Sequence, residues 1–69
     1  MMSDANTMNS LEFEIRFSSL FREGRGMGFP CDAAGRVNLD ELSERGRANY
    51  YFARAMVGRE YATPSVRAA

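Results

Sequence analysis

The chain has no His, no Trp and no Lys, and only one Cys in 69 residues. Without His there is no imidazole base and no histidine metal ligand, and a lone Cys31 completes neither a four-ligand zinc site nor an internal disulfide. A Ser-His-Asp hydrolase, a zinc module and a disulfide-stapled miniprotein are thereby excluded. No apolar run approaches the length of a membrane span, and the amino-terminal MMSDANTMNS lacks the basic and apolar regions of a secretion signal. A cytoplasmic protein of a bacterial host is expected, with no cofactor and no membrane partner.

What is present sets further bounds. A chain of 7.7 kDa buries roughly 60% of its unfolded surface, enough for one small core. Nine Arg balance nine acidic residues, so the formal net charge is zero and direct nucleic-acid binding lacks the usual basic excess. Recognition by charge has to come from local patches, for which Arg, a planar and permanently charged fork, is the better-suited cation.

Residues 1–10 are polar and unpatterned and read as a disordered leader; a single domain is expected over 11–60 and a tail over 61–69. From Leu11 to Phe21 apolar and polar residues alternate, with Leu11, Phe13, Ile15 and Phe17 on one face and Glu12, Glu14, Arg16 and Ser18 on the other. That pattern predicts a strand wet on one side. The run from Arg22 to Gly28, with three Gly at alternate positions, predicts a flexible loop. Phe29-Pro30-Cys31 and Arg36-Val37 then read as a short hairpin, turned at Asp32 and Gly35.

Asn38-Leu39-Asp40-Glu41 has the form of a helix start, predicting one long helix from Leu39 to Val57 with Gly58 as its stop. Its inner face would carry Leu39, Leu42, Gly46, Asn49, Ala53, Met56 and Val57, with Gly46 allowing close approach to the sheet. The expected fold class is α+β: a small antiparallel sheet of about three strands packed on one long α-helix. The segment after Arg59 either lies along the sheet edge or frays.

Nothing in the sequence assembles a catalytic group. Cys31 has no base beside it and reads as a buried packing residue. Glu12 and Glu14 share a strand face, but with Arg16 beside them they read as a solvated, ion-paired surface. A non-enzyme is expected. Three consecutive aromatics, Tyr50-Tyr51-Phe52, span about 200° of a helix and cannot all face one core. Tyr51 falls on the outer face among Arg47, Arg54 and Glu44, residue types that favour a protein interface. Arg22 and Arg25 in the glycine-rich loop are further candidates for a partner, as is the acidic strand face of Glu12 and Glu14.

The stretch FPCDAAGRVNLDELSERGRANYYFARAMVGRE, residues 29 to 60, resembles short proteins carried by plasmids, integrative elements and prophages of GC-rich proteobacteria. In size and in its lack of catalytic equipment the chain is similar to anti-CRISPR proteins. The resemblance implies a non-enzymatic inhibitor that binds a CRISPR effector, a multisubunit Cascade first among them, so that target DNA is not engaged. Zero net charge disfavours phosphate mimicry by the acidic strand face and favours steric blocking through protein contact. The alternative is a small nucleic-acid-binding or regulatory accessory protein of a mobile element. A structural subunit completed by oligomerisation is a third class.

Overall fold

The computed structural model describes residues 13–69. Leu11, Glu12 and the expected leader at residues 1–10 lie outside the described residues. Strand β1 (Phe13–Ser18) is the centre of a three-stranded sheet, flanked by β2 (Gly26–Cys31) and β3 (Ser65–Ala68), both antiparallel to it. A helix, α1 (Glu44–Ala55), covers one face and completes the α+β architecture.

The alternation in β1 sets the faces. Ile15 and Phe17 are buried, and across the ladder Phe13 meets Cys31, Ile15 meets Phe29 and Phe17 meets Met27, so the apolar positions of both strands share one side. The other side is polar, with Glu14 paired to Arg67 across β3 through an Nε–Oε1 contact of 3.1 Å. The Glu14 side chain lies over Gly28, where a Cβ would collide with its carboxylate. Glycine at that place lets the acid cross β2.

Three bonds beyond the strand ends fix which backbone groups face which neighbour. Ser19 donates to the Arg25 carbonyl at 2.8 Å, Leu20 donates to the Glu60 carbonyl at 2.9 Å, and the Ser18 carbonyl accepts from Ala62 at 2.8 Å. Odd residues of β1 therefore turn their amides and carbonyls toward β2 and even residues toward β3, the alternation of an antiparallel ladder. Between the Ser19–Tyr61 bridge and the Arg16–Ser65 pair the register slips by one residue, which places a bulge around Thr63 and Pro64.

The core contains Ile15, Phe17, Phe29, Cys31, Tyr50 and Ala53. Phe17 is its centre: its ring meets Phe29, Tyr50 and Tyr61 edge-on, with centroids 6.0, 6.3 and 6.5 Å away. Cys31 is fully buried, as its sequence context predicts.

Several expectations require correction. The long helix over 39–57 is two pieces: a 3-10 turn at Leu39–Glu41, then α1. Asn38 does cap, accepting from the Asp40 amide, but Leu42 is extended and Ser43 starts the helix afresh, accepting from the Gly46 amide at 3.0 Å. Two good N-cap residues five apart compete for one start, and the second begins the α-helix. Gly46 faces Leu42 and Ser43 rather than the sheet, and Asn49 is exposed.

The expected loop over residues 22–28 ends early, because Gly26, Met27 and Gly28 belong to β2. Arg36 and Val37 form no strand. The turn before them is as expected, with Asp32 donating to the Arg36 carbonyl and Gly35 at a φ of +86°. The third strand comes instead from the segment 61–69, which lies along the sheet edge.

Candidate functional site

The surface of interest is the end of the sheet where β1 turns into β2. Ser19 organises it, its hydroxyl oxygen accepting from the amides of Phe21 and Arg22 at 3.1 and 3.0 Å. The Arg25 amide donates to the Arg22 carbonyl, closing a turn whose third residue, Gly24, has a φ of +80°. With its backbone bonded this way, the turn projects Leu20 and Phe21 outward, and Phe21 is 74% exposed.

Beside Phe21 lies a cleft of about 450 Å³ whose walls include Arg22, Arg25, Met27, Glu60 and Tyr61. Tyr61 belongs to the connection after α1, which is drawn against β1 by its bridge to Ser19. Its ring meets Phe52 of the helix edge-on at 6.2 Å, and Phe52 is itself 48% exposed. Phe21, Tyr61 and Phe52 thus bring apolar surface from the hairpin, the connection and the helix to one end of the molecule. Arg22 and Arg25 make no side-chain hydrogen bond or ion pair among the described residues, and both line the cleft beside it.

The remaining expected site residues do not join this surface as one unit. Tyr51 is 57% exposed on α1, as the helical phase predicts, and packs its ring 5.9 Å from Tyr50. Arg54 is occupied beside it, donating to the Tyr50 hydroxyl at 2.8 Å with its guanidinium 5.7 Å from that ring's centre. Arg47 is turned inward: one guanidinium nitrogen donates to the carbonyls of Leu39 and Leu42 at 3.2 and 3.1 Å, tying the 3-10 turn to the helix. Glu44 is exposed in the first helical turn, where a carboxylate complements the dipole. Glu12 lies outside the described residues, and Glu14 is neutralised by Arg67 rather than Arg16.

Compared with protein-family models, curated proteins and solved structures, the chain matches none.

Titratable groups elsewhere have structural explanations. The Asp32 carboxyl is held below the ordinary carboxylate range, chiefly by the Arg36 amide, which donates to it at 2.8 Å, with the Arg36 side chain and the Ala34 amide adding to the effect. The Cys31 thiol is pushed up by burial, and the charges of Asp32 and Glu14 push it further, so it is a poor nucleophile. Among the described residues no cluster of three or more His, Cys, Asp or Glu side chains is placed to hold a metal ion, and no helix is long and apolar enough to cross a membrane.

Arg22 and Arg25 are legible in the sequence as partner candidates, whereas the parts played by Leu20, Phe21, Phe52 and Tyr61 are not. A signal is present for Leu20, which continued alternation turns to the wet face behind two serines; the same alternation turns Phe21 inward, and its exposure follows only from the turn that ends the strand. Tyr61 escaped because its position depends on the return of residues 57–62 to β1, a long-range pairing that no local pattern announces.

Proposed function

We propose that the chain is a small non-enzymatic binding protein that docks on a protein partner through the Phe21 end of its sheet and acts by steric obstruction. The observation that carries this reading is the 74% exposure of Phe21 on a cleft that it lines together with Tyr61 and with Arg22 and Arg25, neither of which has an ion-pair partner among the described residues. An aromatic flanked by arginine and backed by a concave wall is the composition of an interface centre. The Glu14–Arg67 pair supports contact over phosphate mimicry, because the one described acid of that strand face is already neutralised.

The likeness to anti-CRISPR proteins in size and in lack of catalytic equipment suggests the partner class, a CRISPR effector complex of the Cascade type, and with it the role of inhibitor. The test uses purified Cascade-type complex and the tagged chain, with target-DNA binding as a second readout. Phe21→Ala is expected to weaken retention by about 2 kcal/mol, roughly thirtyfold, and to restore DNA binding by the complex. Arg25→Glu is expected to slow association, since peripheral charges act mostly on the encounter. Equal retention of wild type and Phe21→Ala would refute the surface. Binding to bare DNA that falls steeply with salt, with no retention of the complex, would replace this function by the nucleic-acid accessory role.

A further inference from the structure

The two edges of the sheet are not equivalent. In β2 the residues opposite even positions of β1 are Gly26, Gly28 and Pro30, and the backbone phase turns their polar groups away from β1, to the outside. Pro30 has no amide to offer there, and Gly26 sits at a φ of +154°. That edge is closed to a further strand by the device natural sheets commonly use.

Among the described residues the β3 edge carries no such protection. Arg67 and Ser65 pair with Glu14 and Arg16, so their amides and carbonyls are spent on β1, while those of Val66 and Ala68 point outward. Neither forms a backbone bond to any other segment among the described residues. All four residues of β3 are exposed, and Val66, on the core side of the sheet, remains 39% exposed. Gly35 comes close enough that a Cβ there would touch Val66, so the Asp32 turn reaches its side chain, and no described backbone group accepts from its outward amide.

We propose that β3 pairs antiparallel with β3 of a second copy of this chain, joining two sheets into one of six strands. A two-fold axis at Arg67 sets Val66 opposite the second copy's Ala68 and Ala68 opposite its Val66. Each pair exchanges two backbone hydrogen bonds, so all the outward groups of both residues are satisfied. The register brings two Arg67 side chains together on the polar face, where like charges normally oppose pairing. Each already carries Glu14 at 3.1 Å, so the four-charge row is neutral. Self-pairing therefore needs no charge that this chain lacks. Because the β2 edge is blocked, assembly closes at two copies instead of growing into a filament.

The test is mass measurement by light scattering or sedimentation on the full chain from about 10 μM to about 1 mM, the range for a small transient interface. The expected result is a rise toward twice the 7.7 kDa chain mass, with the Val66 and Ala68 amides exchanging more slowly as concentration increases. Ala68→Pro removes an outward donor and no bond of the β1–β3 ladder; it is expected to weaken association at least tenfold while the Ser65 and Arg67 amides stay protected. A chain monomeric throughout that range overturns the proposal. So does a dimer that Ala68→Pro leaves unchanged. Protection of Val66 and Ala68 that appears only when a different protein is added also overturns it, and assigns the edge to that protein.

Discussion

Arg47 separates a binding role from a structural one more sharply than any other side chain. On the helical phase alone it belongs to the outer face with Tyr51 and Arg54; in the folded chain one of its guanidinium nitrogens bridges the Leu39 and Leu42 carbonyls. These carbonyls belong to the 3-10 turn and to the extended residue after it, where the helical ladder is broken. A hydrogen bond to a charged donor contributes about 1.5 to 3 kcal/mol when well shielded. Here one nitrogen serves two acceptors and the site is half-buried, so Arg47→Ala is expected to cost about 1 to 3 kcal/mol, including the packing of its methylene stem.

A domain of this size has roughly 3 to 10 kcal/mol in total, so the loss is a large fraction of it. The melting temperature should fall by about 8 to 16 °C for a 2 kcal/mol change. Far-ultraviolet circular dichroism during thermal and urea unfolding reads both quantities. Below its new midpoint the variant should still bind the partner as the wild type does. An Arg47→Ala protein of unchanged stability that fails to bind would refute the inward assignment and return Arg47 to the interface.

The other predictions concern the core, the turn and pH. Phe17→Ala removes the ring at the centre of the aromatic cluster and should cost about 3 to 5 kcal/mol, read as a large drop in the urea midpoint by circular dichroism. Gly35→Ala forces a side chain into a left-handed backbone and against Val66 at 3.0 Å; a loss of about 1 to 2 kcal/mol in urea unfolding is expected. The raised Cys31 pKa means that the folded state holds its proton longer than the unfolded chain. Its stabilising effect is complete below the ordinary thiol range, about pH 8.5, and declines as pH rises above it; Cys31→Ala should flatten that decline. The lowered Asp32 pKa acts in the opposite sense: its contribution is present above about pH 4 and fades as acid protonates it, so Asp32→Ala should show a shallower acid limb.

The parts of the fold legible in the sequence are those that local chemistry decides. Alternation in β1 identified its buried face, and the Asp32–Gly35 turn followed from an acid that accepts local amides and a glycine that tolerates a positive φ. The helix was placed but overextended, since Asn38 and Ser43 are both competent caps and only the packed structure chooses between them. Half of β2 resembles a loop in sequence, because Gly26 and Gly28 look like flexibility. Gly28 instead leaves room for the Glu14 carboxylate, whose partner Arg67 is 53 residues away in sequence. Local pattern points to Arg36 and Val37 for the third strand, whereas Ser65–Ala68 forms it through non-local pairing.

The candidate surface divides in the same way. Tyr51 was placed outside by helical geometry alone, and it is exposed. Arg47 and Arg54, companions of Tyr51 on the helical phase, bind within the chain because carbonyls freed by the helix break and the Tyr50 hydroxyl lie within their reach. Arg22 and Arg25 were identified without the aromatic that stands beside them.

The central claim is that the Phe21 end of the sheet is the contact surface, and amide hydrogen exchange of the chain with and without purified Cascade-type complex tests it most directly. New protection is predicted at residues 20–25 and around Phe52 and Tyr61, with the 32–36 turn unchanged. Protection confined to α1 around Tyr51 and Arg54, or none at all on mixing, would contradict it.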